Sequence, residues 1–247
     1  MSVPSTNRTH PSLNSPITTR NNAEVRVIER RLDGAGRECD ARVVDDVEFV
    51  QWYGPWSPLT VDQVVDLLQA FDRVWWIVGG QAIERFTGVP RPHEDLDVVV
   101  LRSDAGLLLS LLAEAGYHAW ANSSGSLTPM LDKQELPSHA GQIWIRRHAL
   151  APWEVDFGVG DERDGAWVWR HDRNVAMAVA DATWVDEHGV RFARPEIVLA
   201  HKARWRQQKD DEDFDAAWPM LDRHARGWLR DNVTRMYPDH PWLDRMA

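Results

Sequence analysis

Two short apolar runs, split by a diglycine and a stretch of chain breakers, constrain this chain more than any other feature. Val74 to Val78 is β-branched or aromatic throughout and stops at Gly79-Gly80, so it reads as a strand. Gln81 to Phe86 then reads as helical, and Gly88, Pro90 and Pro92 end it. Leu96 to Leu101 is the next strand, and it opens on the acidic pair Asp95-Leu96-Asp97.

Each piece admits a bland and a chemical reading. Two glycines at a strand-to-helix junction let backbone N–H groups approach an anion at a helix N-terminus, but they also serve plain turns. On a strand, side chains at i and i+2 share a face, and their Cα atoms lie about 6.6 Å apart. Asp95 and Asp97 would therefore lean toward one point, where they repel unless a cation intervenes. Magnesium, which takes carboxylate and phosphate oxygens, is such a cation. The other reading is an exposed strand start, or pairing with Arg91 or Arg102. Trp153 to Phe157 is a third strand, whose alternation places Glu154 and Asp156 on one face. Asp156 would join the acidic pair if its strand lies beside theirs, and Glu154 is its rival.

The rest of the chain supplies scaffolding. Residues 1–23 are polar and offer nothing to bury, which predicts a disordered tail. The alternating segments Val25 to Ile28 and Ala41 to Val44 flank Gly34 and Gly36 and suggest a hairpin. Thr60 and Gln63 form a capping box for a helix whose stripe is Val61, Val64, Val65, Leu68 and Phe71. Ser103 caps another helix, which stops at Gly116, and Tyr117 to Ala121 follows as a strand. Gly125 to Gly141 reads as loop and Gln142 to Arg146 as strand, while Val168 to Trp184 has no clear pattern. Pro195 starts a helix expected to reach Gln207, and two more follow near Asp211–Leu221 and Ala225–Val233. The expected division is a tail over 1–23, an α/β domain over 24–190 and a helical region over 191–247.

Composition narrows the class. The net charge of −10 opposes broad binding to nucleic-acid phosphates and suits a cationic small-molecule acceptor, although acidity also serves solubility alone. Cys39 is the one cysteine, so no intrachain disulfide can form. No apolar run has the length of a membrane helix, and the first residues lack a signal-peptide core, so a cytoplasmic enzyme is expected.

The run Trp75 to Ile83, followed by Gly88, Arg91, His93, Asp95, Leu96 and Asp97, resembles the signature of aminoglycoside and lincosamide adenylyltransferases. These belong to the DNA polymerase beta-like nucleotidyltransferase superfamily. The likeness covers about Tyr53 to Asp97, then Asp156, and more loosely the helix with Lys202. It implies an α+β palm, a small mixed sheet with flanking helices, followed by a C-terminal helical region. It further implies that Asp95, Asp97 and Asp156 hold Mg2+ in a two-metal site, with Asp156 as general base. Gly79, Gly80 and Lys202 would bind the phosphates of ATP or another NTP. Ions ~3.5–4 Å apart would stabilise the attacking and leaving oxygens of an in-line displacement. Lys202 reads equally as a surface lysine, Asp210 and Asp211 as helix caps, and His93 as a structural hydrogen bonder. Two other functions share these residues: transfer onto a protein or RNA acceptor, and a non-catalytic nucleotide-binding domain.

Overall fold

The computed structural model describes residues 25–27, 43–131, 135–204 and 206–246. Strands β1 (Val25–Val27) and β2 (Val43–Asp45) pair antiparallel, as the alternating segments suggested. The glycine turn between them and the polar 1–23 tail lie outside the described residues. Helix α1 (Asp46–Tyr53) follows at once, which the sequence reading did not foresee. Helix α2 (Val61–Leu67) starts at the expected cap: Thr60 Oγ1 accepts from the Gln63 amide, and Gln63 Oε1 accepts from the Thr60 amide.

The central elements are β3 (Trp75–Ile77), α3 (Gly79–Thr87), β4 (Asp97–Leu101) and α4 (Ala105–Glu114). Ser103 does not cap α4. A 3-10 turn at Arg102–Asp104 intervenes, and the Ser103 hydroxyl donates to Glu162. Strands β5 (His118–Ser123), β6 (Ser126–Pro129), β7 (Gln142–Arg146) and β8 (Val155–Arg163) follow. Strand β6 occupies part of the expected loop. Ser124, at φ 49°, and Gly125, at φ 78°, make a tight left-handed turn that the sequence pattern did not single out.

Beyond β8 lie β9 (Ala166–Val168), β10 (Ala176–Met177), a short helix α5 (Val179–Ala182), β11 (Thr183–Val185) and β12 (Arg191–Ala193). Helix α6 (Pro195–Lys202) ends before Gln207 because Arg206 turns left-handed at φ 40°. Helices α7 (Gln208–Ala217), α8 (Arg223–Met236) and α9 (Trp242–Arg245) complete the chain. No helix among the described residues is long and apolar enough to cross a membrane.

The main sheet runs β11-β12-β3-β4-β8-β7-β5-β6. It is mixed: β4 lies parallel to β8 and antiparallel to β3, while β7 and β8 are antiparallel. Strand β9 pairs the far end of β8 and carries β10. This is the α+β arrangement expected from the sequence, a mixed sheet with flanking helices followed by a helical C-terminal region.

Register decides what each face carries. Asp97, Val99 and Leu101 stand beside Asp156, Gly158 and Gly160, while Val98 and Val100 stand beside Phe157 and Val159. Val98, Val100, Val155 and Phe157 are fully buried, in one cluster with Val64 and Leu68 of α2 and Leu108 and Leu112 of α4. The opposite face forms the floor of a cleft.

Candidate active site

Asp97 opens β4, Asp156 is the second residue of β8, and the two are register partners on parallel strands. Neighbouring strands lie about 4.8 Å apart, so the carboxylates must share a small volume. Leu96, wholly buried between Asp95 and Asp97, anchors the pair by pointing the other way. The Asp156 amide donates to the Leu96 carbonyl at 3.1 Å, which locks the acidic segment to β8. All three aspartates line one cleft of about 890 Å3.

Asp156 is the deepest of them, at 6% exposure. One of its oxygens accepts from the Gln142 amide group, and the other is buried with no hydrogen-bond partner. Burial pushes its carboxyl well above the usual carboxylate range, and the charges of Asp97 and Asp95 push it further. The Trp144 indole N–H and Arg170 oppose that rise. The indole sits close enough to favour the charged carboxyl without reaching hydrogen-bond geometry. Crowded carboxylates with an orphaned oxygen fit a divalent cation, whose charge would offset their repulsion. Among the described residues no three His, Cys, Asp or Glu side chains close into a ready-made metal cage. The donor set is nonetheless all oxygen, and magnesium needs only one or two carboxylates when substrate phosphates complete its shell.

The diglycine serves close approach. Gly79 has φ 68°, and a Cβ there would collide with the Asp97 carboxylate. A Cβ on Gly80 would run into the Arg91 guanidinium and the His93 ring. The Val78 amide donates to the Asp97 carbonyl at 3.0 Å, fixing the turn against β4. Both glycines line the cleft at the start of α3, where no side chain caps the helix. Amides in that position suit an anion.

Lys202 also lines the cleft, but it is engaged. Its ammonium lies 2.7 Å from Asp210 and 3.0 Å from Asp213, with the side chain 11% exposed. Asp213 in turn receives a two-pronged pair from Arg91, at 2.8 and 3.0 Å. Asp210 accepts from the Gln207 amide and so caps α7 while also holding Lys202. His93 bonds Glu84 at 2.6 Å, the structural role expected of it. Glu154 parts from Asp156: it precedes β8, accepts from the Tyr117 hydroxyl at 2.9 Å and does not line the cleft.

Other parts of the site carried weaker sequence signals. Gly158 and Gly160 occupy the cleft-facing positions after Asp156 and leave the floor bare. Trp167 folds over Gly160, 2.9 Å from where a Cβ would stand, and meets Trp76 edge to face. The alternation Asp156-x-Gly158-x-Gly160 is visible in the sequence and could have marked this floor. On the β7 side, Trp144, Phe49 and Tyr53 form an aromatic wall beside Asn122 and Gln142. Nothing local in the sequence brings α1 to that wall.

A mixed sheet with a diglycine turn, an Asp-x-Asp strand beside it and a lone Asp on the next strand is the arrangement that the sequence resemblance implied. Residues 60–150 match the sequence model of the aminoglycoside-2''-adenylyltransferase family, a stretch that holds the glycine pair, Asp95 and Asp97 and ends before Asp156. The resemblance drawn from the sequence therefore holds over that stretch. Among solved structures, the chain is 14% identical to ANT(2'')-Ia in complex with adenylyl-2''-tobramycin, covering 71% of this chain and 95% of that one at a TM-score of 0.46. It is 15% identical to the lincomycin-bound lincosamide antibiotic adenylyltransferase LnuA, covering 67% and 100% at a TM-score of 0.48. None of the curated protein sequences matches the chain.

Proposed function

We propose that this protein is a magnesium-dependent nucleotidyltransferase that moves AMP from ATP onto a hydroxyl of a small molecule, of the aminoglycoside-like antibiotic kind. One observation carries the reading: Asp97 and Asp156 are register partners at the mouth of a cleft, and the buried one keeps an unpaired oxygen. Asp95, Asp97 and Asp156 would hold the metal, which when bound neutralises charge on the phosphates and on the departing oxygen. The chain's own residues do the rest. Gly79, Gly80 and the first turn of α3 receive the triphosphate, with Lys202 beside them. Strand order sets Trp144 across Asp156 from that turn, and Phe49 and Tyr53 pack on Trp144, so the acceptor lies against these three with its hydroxyl facing Asp156.

The acceptor oxygen attacks the α-phosphorus in line. The bond to the bridging oxygen breaks, pyrophosphate leaves, and Asp156 takes the hydroxyl proton. Positioning and charge neutralisation supply most of the acceleration in such transfers. The test is incubation of the purified chain with labelled ATP, magnesium and a panel of hydroxylated antibiotics. Transfer is expected for at least one acceptor and should vanish in Asp95→Asn; unchanged transfer in that variant rules out the metal site.

A further inference from the structure

A chain of hydrogen bonds on the β5–β7 side of the cleft ends on Asp156, and the transfer reading leaves it without a role. Asn122 of β5 and Gln142 of β7 are register partners, and Gln142 in turn stands beside Gly158 of β8. Asp156 lies two residues before Gly158 on the same face, diagonal to Gln142 and within reach of a long side chain. Gly158 has no side chain to fill the space between them. Gln142 donates across it, from Nε2 to Asp156 Oδ2. Behind Gln142, the buried Asn122 donates from Nδ2 to Gln142 Oε1 at 3.0 Å. Behind Asn122, the Gly125 amide donates to Asn122 Oδ1 at 3.1 Å.

Both ends fix the direction of this relay. A backbone N–H can only donate, so the Asn122 atom facing Gly125 is its oxygen. The Asn122 nitrogen then faces Gln142, whose oxygen accepts from it, and the Gln142 nitrogen is left for Asp156. The far end agrees, because an ionised carboxylate can only accept. One backbone group therefore orders three polar side chains. That group is itself held: Gly125 sits in the left-handed turn at φ 78°, and its carbonyl accepts from the Tyr53 hydroxyl at 2.9 Å. The relay occupies one oxygen of Asp156 and leaves Oδ1 buried with no hydrogen-bond partner.

We propose that Gln142, backed by Asn122 and the Gly125 amide, is a positioning residue that pins Asp156 Oδ2 and so presents Oδ1 to the reacting groups. An aspartate turns about two side-chain bonds, whereas transfer needs one oxygen at a fixed place. Gln142 acts through Asp156 and has no part in the chemistry itself. This role rests on the nucleotidyltransferase reading; the relay does not. Tyr53 belongs to the aromatic wall as well, so an acceptor lying there rests against the residue that anchors the relay.

Two variants of the full chain separate positioning from scaffolding. Gln142→Met keeps the length of the side chain and removes the donor. Asn122→Asp keeps the bond from Gly125, but its second oxygen can only accept. Gln142 must then turn its nitrogen back toward β5 and its oxygen toward Asp156. Each variant should lower kcat about 10- to 100-fold, the range for partners behind a metal-binding carboxylate, with KM for ATP unchanged. Combined, they should lose no more than the larger single loss, since both break one relay. The second readout needs no transfer. It is the side-chain NH2 proton resonance of Gln142 in the metal-free chain, assigned by its disappearance in Gln142→Met. A charged acceptor shifts that resonance downfield, and it should move back in Asp156→Asn and in Asn122→Asp. A resonance that both variants leave in place overturns the relay. An unchanged kcat, or losses that add in the double variant, overturns the positioning role. Absence of transfer by the parent chain sinks the enzymatic reading and this role with it, while the resonance still decides whether the relay exists.

Discussion

Strands β4 and β8 are built twice over, once on each face. One face carries Val98, Val100, Val155 and Phe157, all without solvent exposure. The other carries Asp97 and Asp156, then Val99 and the bare backbone of Gly158 and Gly160. The same hydrogen bonds hold both faces. A period of two along each strand therefore separates what stabilises the fold from the carboxylates proposed to perform the chemistry. The apolar face is satisfied as it stands, whereas the acidic face is held under charge repulsion by the stability of the other.

The largest test of that division removes charge from the acidic face. Asp156→Asn should lower nucleotide transfer on the order of 10³–10⁴-fold, the range for losing one charged member of a reacting centre. The same variant should melt higher than the parent in metal-free buffer at pH 7. The raised Asp156 pKa means that the folded protein holds this proton more tightly than the unfolded chain does, so stability falls as pH climbs from the ordinary carboxylate range through the raised value. Asparagine has no such dependence and keeps the size of the side chain. A variant that loses both activity and stability would show that the carboxylate helps hold the fold, and the division between faces would fail.

The converse test cuts into the apolar face one residue away. Phe157→Ala should destabilise the fold by about 3–5 kcal/mol, through lost burial and the cavity left behind. The fraction that remains folded should transfer nucleotide at the parental rate, because the ring points away from the cleft. Denaturant unfolding and activity at low temperature measure the two quantities. A smaller effect belongs to the turn between the faces. Gly79→Ala must adopt a positive φ and also press on the Asp97 carboxylate, which should cost about 1–3 kcal/mol. Its transfer rate should fall more than its melting temperature suggests, since the displaced group is Asp97. Equal, small losses in both would reduce the glycine to a plain turn.

These contrasts also mark what the sequence made legible. The alternation of Leu96 to Leu101 and the Trp153 to Phe157 segment carried both faces, because a strand's period is local. The Thr60 cap, the diglycine stop and the left-handed Gly116 were legible for the same reason. The partners of Lys202 were not. Asp210 and Asp213 lie on the next helix, and only the left-handed turn at Arg206 folds that helix back onto α6. The aromatic wall was equally hidden: Phe49 reaches Trp144 from far back in the chain, and no local pattern encodes that pairing. His171 and His201 meet through tertiary packing alone, from segments whose own sequences give no hint of contact.

The finest test concerns two carboxylates that strict alternation would have placed together. Glu154 and Asp156 are two residues apart, yet only Asp156 faces the cleft. Glu154 instead accepts from Tyr117, whose phenol is pushed up to about 12, chiefly by burial and then by that hydrogen bond and the Glu154 charge. The neutral phenol is thus favoured by folding. The stability it lends is whole below the ordinary tyrosine value near pH 10 and drains away as pH rises toward 12. Glu154→Gln should remove the charge and bring the Tyr117 titration, followed by ultraviolet difference absorbance, down toward its ordinary value. Nucleotide transfer at pH 7 should stay within about twofold of the parent, as befits a group outside the reacting centre. A large loss of transfer in Glu154→Gln would place that carboxylate at the reaction instead of behind it, and the separation of the two acids along β8 would be wrong.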